Sequence, residues 1–214
     1  MVDSALNRQT RKRLATRQKI SDVATHLFIK RGFDAVTMDE IAEAADVSRM
    51  TVFNHFQRKE DLFFDLDEEG REDLLAALNE RDPGTSPVEA LRLFAHHAVA
   101  EKRPYVRFFE AGTDKFLAAI EASNALKARA LAIREELTDT LTLALAKSVD
   151  RSLPDPVASL AASLLVATWT VALMEAHRAF QRDRKLREAN HTFLALIDLG
   201  AKGVKSALEG TPYI

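Results

Sequence analysis

Residues 37–60 read TMDEIAEAADVSRMTVFNHFQRKE, two short helical segments around a tight turn. Thr37 and Glu40 stand at the spacing of a capping box, in which each satisfies a backbone N–H of the other, so a helix is expected to start there. Ile41, Ala42 and Ala45 give it an apolar face. Asp46-Val47 breaks it, and Ser48 is the cap of a second helix. In that helix Val52 and Phe56 lie four residues apart and face inward, which leaves Arg49, Met50, Thr51, Asn54 and His55 outward. A short helix braced on its neighbour, with polar and cationic residues at its leading end, fits a DNA major groove. The pattern predicts a helix-turn-helix.

The preceding residues supply a third helix. Ile20, Val23, Ala24, Leu27 and Phe28 follow amphipathic spacing, Gly32 is placed to end the helix, and Phe33 and Val36 can close over the core. Residues 8–19 carry six basic side chains (Arg8, Arg11, Lys12, Arg13, Arg17, Lys19) and no acidic one. Two readings stay open for them, a solvated terminus and a flexible arm that contacts phosphates or the minor groove. Adjacency to the helix-turn-helix favours the arm.

Residues 16–62 resemble the N-terminal domain of the tetracycline-repressor (TetR) family of transcriptional regulators. The residues that carry the resemblance are Ile20, Ala24, Leu27, Phe28, Gly32, Phe33, Thr37, Ile41, Ala42, Ala45, Val47, Ser48, Thr51, Phe53, Phe56, Lys59, Glu60 and Leu62. The rest of the chain agrees with the family only in length and helical content. The resemblance implies a homodimer on palindromic operator DNA, with Arg49, Met50, Thr51 and Asn54 near base edges. Thr37, Ser48, His55, Lys59 and the arm residues Arg11, Arg13 and Arg17 would then hold phosphates. Repression is the family default, and activation would use the same contacts. Three departures stand out. Asp46 occupies a turn position usually filled by Gly, Phe53 replaces a frequent Tyr and lacks its hydroxyl, and Arg58 replaces a capping Ser and adds charge.

Composition agrees. The first 60 residues carry 11 basic and 8 acidic side chains, net +3, and the remainder 19 and 24, net −5, so the positive end can be steered to DNA. No cysteine is present, which excludes disulfides and thiolate metal sites. No apolar segment lies near the N-terminus, so a cytoplasmic protein without a signal peptide is expected. An enzyme finds no support in a Gly-rich phosphate loop, a GxSxG or an HExxH, and neither metal nor cofactor is expected. A scaffolding module is disfavoured by the basic arm and the outward Arg49, Thr51 and Asn54.

The periodicity predicts an all-α chain of about nine helices, divided into residues 1–60 and 61–214. Helices are expected over 59–81, 88–100, 104–111, 114–149, from Pro156 onward, and over 185–208. Val157–Met174 passes 18 residues without a charge but holds four hydroxyls and no cationic flank, so it is expected to be buried on most sides in protein and not in a membrane. Its small residues and Gly200 permit close helix approach. Leu160 and Leu164, with Phe193, Leu194, Ile197 and Val204, are the candidate homodimer interface; the resemblance implies a four-helix bundle of these helices and their mates. It also implies a pocket for a small apolar or amphipathic effector. Candidates there are Phe94, His97, Tyr105, Phe108, Phe109, Phe116, Trp169, Met174 and His177, with ordinary core as the rival reading for each.

Overall fold

The computed structural model describes the backbone of residues 2–65, 67–106 and 113–214, and their side chains except at 2–8, 67 and 113–116. These residues form ten α-helices and one 3-10 turn, with no strand among them. The all-α expectation holds; nine becomes ten because two expected long helices each break once while the one expected over 104–111 is described only as a 3-10 turn. The chain clusters into two compact units, Met1–Asp65 with Asp114–Arg129, and Leu66–Thr113 with Ala130–Ile214.

The first unit begins with α1 (Val2–Arg31). The basic stretch 8–19 lies inside it, so the expected flexible arm is helix. The reason is local: residues 2–31 contain no Gly or Pro and are rich in Arg, Lys, Gln, Ala and Leu. Gly32 ends the helix at φ +86, and its N–H donates to the Phe28 carbonyl at 2.9 Å. Then come α2 (Met38–Ala44), α3 (Arg49–His55) and α4 (Lys59–Phe63). Ile20, Ala24, Phe28, Phe33, Val36, Ile41, Ala45, Val52, Phe56 and Leu62 are buried in one core, and Leu126 joins them. Leu126 also explains why 114–129 belong here, which a division at residue 60 does not anticipate. Two polar anchors add to it: the Ser123 hydroxyl donates to Asp34 at 3.0 Å, and Arg129 Nε to Asp61 at 2.9 Å.

The helix expected over 59–81 stops at Phe63 and resumes as α5 (Asp67–Asn79). Phe63 packs on Phe28 and Phe33, ring centres 6.0 and 5.7 Å away, and Phe64 lies against Phe63. The Asp65 carboxylate accepts the Ser21 hydroxyl of α1. These contacts hold residues 63–65 on the first core. Likewise the helix expected over 114–149 breaks at buried Ser123 into α7 (Thr113–Ala122) and α8 (Asn124–Ser148).

In the second unit Ser86 caps α6 (Pro87–Ala100), with Pro at the first helical position. The helix expected over 104–111 is a 3-10 turn at Pro104–Val106, and its remainder lies outside the described residues. Asp155 Oδ1 caps α9 (Pro156–Asp183), accepting from Val157 and Ala158 at 2.9 and 3.1 Å. The last helix is α10 (Leu186–Ala207). Gly200 faces Thr168, where an added Cβ would stand 2.5 Å from Oγ1 and 2.9 Å from Cβ. The two helices approach this closely because Ala158, Ala161, Ala162, Ala172, Ala176, Ala189 and Ala201 line their buried sides.

Candidate nucleic-acid interface

The turn between α2 and α3 is set by backbone geometry before any side chain reaches out. Asp46 takes φ 52, its N–H donates to Glu43, and Val47 N–H to Ala42, both at 3.0 Å. Ser48 then accepts the Thr51 N–H at 3.0 Å and starts α3. On the α2 side, Thr37 N–H and hydroxyl both donate to Glu40 Oε2, at 2.8 and 2.9 Å, and Arg31 pairs with Oε1 at 2.7 Å. The Thr37 N–H bond, then Arg31, pull the Glu40 carboxyl down to about 2. Both capping expectations are met.

Within α3, Val52 is fully buried, while Arg49, Met50, Phe53 and Asn54 are exposed, and Thr51 and His55 half-buried. Met50 is 68% exposed, an apolar side chain left in water on the face expected to meet base edges. Arg49 is tied to α2, its Nε 3.1 Å from Asp39 Oδ1 and its Nη1 donating to Oδ2 at 3.1 Å. Nothing in the spacing of these residues signalled that pair.

The expected phosphate holders differ in their freedom. Arg11 and Arg13 are exposed on α1. Arg17 instead donates to the His55 carbonyl at 2.9 Å and lies 4.3 Å over the Phe56 ring, so it braces α3 on α1. Lys59 donates to the Phe33 and Val36 carbonyls, each at 2.9 Å, and covers the Phe33 ring. It closes the loop behind α1 with two of its three donors. Arg58 is exposed, and its backbone N–H donates to Asp61 at 3.2 Å. Burial, then the charges of Arg13 and Arg17, lower the His55 pKa. This corner of the head therefore carries positive charge without a carboxylate among those causes.

In the second unit, half of the expected interface turns inward. Phe193, Ile197 and Val204 are buried, 2%, 5% and 3% exposed, because they line the side of α10 that packs on α9 and α6. Leu160 is 49% exposed, and Leu164 and Leu194 are half-buried. The outward residues recur at 160, 163, 167 and 171 on α9 and at 195, 199 and 202 on α10. They include Val171 at 53% and Leu199 at 65%, which amphipathic spacing could have found. α9 is also long and apolar enough to cross a membrane, yet only 28% of that window is buried in the chain. Within Val157–Met174 only Ser159, Leu160, Ser163, Ala167 and Val171 are exposed, so the helix is covered on its other sides and open along this one stripe.

Of the pocket candidates, Phe94, Tyr105 and Trp169 come together. Phe94 stacks on Tyr105 and Trp169 at 6.0 and 5.6 Å, and Trp169 meets the edge of Phe193 at 5.2 Å. The Tyr105 hydroxyl donates to Asp73 at 2.8 Å; burial, then that bond, raise its pKa. His177 is buried on α9 with Nε2 3.1 Å from the Gln181 amide, and Met174 is half-buried. His97 is exposed, so it leaves the set: α6 turns Phe94 and Ala98 inward and His97 out. Phe108 and Phe109 lie outside the described residues, as does the Phe116 side chain.

A capped helix pair with an exposed second helix, in a chain whose described residues are helical, defines a helix-turn-helix protein. Residues 20–66 match the family model for bacterial regulatory proteins, tetR family. The HTH-type transcriptional regulator TcmR of Streptomyces glaucescens is 36% identical over 81 residues, which are 38% of this chain and 36% of that protein. AcrR of Shigella flexneri is 37% identical over 87 residues, 39% of this chain and 40% of its own. The matched part is thus well under half the length of either relative. The SmeT–triclosan complex shares the fold at a TM-score of 0.56 and 21% identity, over 88% of this chain and 91% of that one; SmeT is the repressor of a Stenotrophomonas maltophilia multidrug efflux pump. By this match the segment 20–66 is a domain of the tetR-family type.

Proposed function

We propose that this chain is a transcriptional repressor that binds a palindromic operator as a two-fold homodimer and leaves it when a small apolar or amphipathic molecule occupies the second unit. The observation that carries the reading is α3, capped at Ser48, anchored by Val52, and presenting Arg49, Met50, Phe53 and Asn54 to solvent. A helix so held enters a major groove without reordering its support. Arg11, Arg13 and Arg58 supply exposed charge for phosphates. Relatives whose names state repression, SmeT among them, favour repression over activation. A cytoplasmic location without a membrane partner accompanies the reading.

The outward α9–α10 stripe is the surface for a second copy. Covering it with an identical stripe accounts for the apolar Leu160, Val171 and Leu199 that their own chain leaves exposed. The ring cluster of Phe94, Tyr105 and Trp169 is the effector region, and triclosan in the SmeT complex is the kind of small aromatic molecule it suits. Release does not travel along one helix from Lys59, because that helix ends at Phe63. α8 is continuous and has residues in both units, so it is the better carrier. An effector acts only through different affinities for the two conformers.

Duplexes selected from a random library, titrated by fluorescence anisotropy between 50 and 200 mM salt, test the reading. A repressor of this kind loses about a thousandfold or more in affinity over that range, as phosphate contacts release counterions. Palindromic half-sites about one or more helical turns apart are expected. Salt-independent binding, or no selected duplex, would overturn it.

A further inference from the structure

Arg49 is the first residue of α3, and its side chain is held from two directions. At its edge stands Asp39 of α2, with Nε 3.1 Å from Oδ1 and Nη1 donating to Oδ2 at 3.1 Å. Over its face stands the Phe53 ring, one turn along α3, its centre 5.5 Å from the guanidinium carbon. That is within the ~6 Å at which a ring face attracts a cation. The carboxylate and the ring together restrain where the guanidinium stands.

Stability does not account for this arrangement. The Arg49 and Asp39 side chains are 65% and 61% exposed, and ion pairs so exposed contribute little to folding. Arginine carries five N–H donors in a rigid fork; Asp39 takes one of them, on Nη1, as a hydrogen bond, while its Oδ1 lies beside Nε. The second N–H of Nη1 and both of Nη2 stay outside that bond, so one donor from each terminal nitrogen can act as a pair. That pair matches the O6 and N7 acceptors of guanine in the major groove.

The geometry points to Asp39 and Phe53 as positioning residues that preset Arg49 to read a guanine in each half-site. The inference rests on the DNA-binding reading of this head. An arginine already oriented loses less side-chain freedom on binding, and its fork meets the base edge in one plane, which favours the base with two acceptors there. Phe53 thereby has a use that does not need a hydroxyl. The rival role for Asp39 is a brake that competes with DNA for Arg49, and it predicts a different result.

Selection from a random duplex library, followed by titration, is carried out with the unaltered chain and with Arg49→Lys, Asp39→Ala, Asp39→Glu and Phe53→Leu. Circular dichroism checks that each variant is folded, as substitution at exposed positions predicts. The unaltered chain should select one guanine per half-site whose replacement weakens binding about tenfold. Arg49→Lys should abolish that preference. Asp39→Ala and Phe53→Leu should each reduce it at least threefold at that position alone, leaving the other positions and the salt dependence unchanged, and Asp39→Glu should restore part of it. An undiminished guanine preference in Asp39→Ala overturns the inference, as does tighter binding of every duplex alike, the mark of a brake. If the unaltered chain selects no duplex, the DNA-binding reading falls first and this inference with it.

Discussion

Asp46 turns the chain at φ 52, where side chains are strained and Asp is better tolerated than most. Asp46→Val is expected to cost about 1 kcal/mol or more, and Asp46→Gly to stay within about 0.5 kcal/mol of the unaltered chain, because Gly exchanges strain for unfolded-state entropy. Urea unfolding midpoints check both. His55 gives a pH dependence. Burial and the charges of Arg13 and Arg17 depress its folded-state pKa below the ordinary 6.5, and a phosphate drawn to that corner raises it again. Binding therefore takes up protons, and affinity should rise as pH falls from 7.5 to 5.5. In His55→Gln the rise should be smaller; an unchanged profile would show that His55 stands clear of the DNA.

At the scale of elements, close approach and end contacts decide stability more than propensity does. Gly200→Ala forces a methyl into Thr168, and since backbone on both sides must move, it should cost about 1–3 kcal/mol. Replacing Thr168 with a smaller residue as well should recover much of that. The start of α9 is held by Tyr213, whose hydroxyl donates to Asp155 at 2.8 Å while its carbonyl accepts the Val88 N–H of α6 at 3.2 Å. Tyr213→Phe should cost about 1 kcal/mol in thermal or urea unfolding, since one hydrogen bond is lost and the ring stays. Burial, then the Asp155 bond, push the phenol up to about 12 from the ordinary 10. With the folded value raised, this contribution is fully present below pH 10 and is lost as pH rises towards 12. The phenylalanine variant should lack that step.

For the whole molecule, the proposed dimer uses the outward face of α10, while the inward face is core. Leu199→Glu combined with Leu160→Glu places charge on the outward stripe, and light scattering should then report monomers with helical content intact. Operator affinity should fall with the loss of the second head. Phe193→Ala removes a ring packed on Trp169 in the interior, so it should cost about 3–5 kcal/mol and leave whatever folds still dimeric. Trp169 is the chain's one tryptophan and touches both Phe94 and Phe193, so its fluorescence reports on the ring cluster. Small aromatic effectors should quench it at the concentrations that release DNA.

Features that depend on neighbours a few residues apart were legible in the sequence. Thr37 with Glu40, Ser48, Gly32 and Asp155-Pro156 marked helix ends, and the spacing of Ile20, Ala24, Phe28, Val52 and Phe56 marked one core, because caps and amphipathic faces are local chemistry. The rest came from contacts between residues far apart in the chain; the fold set it. It stopped α4 at Phe63 and α7 at Ala122, where Phe33, Asp34 and Ser21, distant in sequence, claim those residues. It sent Phe193, Ile197 and Val204 inward and left Leu160, Val171 and Leu199 outward, since an apolar helix shows its residues in sequence but not which face its own chain will cover. It also tied Arg49 to Asp39, a pair made by the angle between two helices and by nothing written in their spacing.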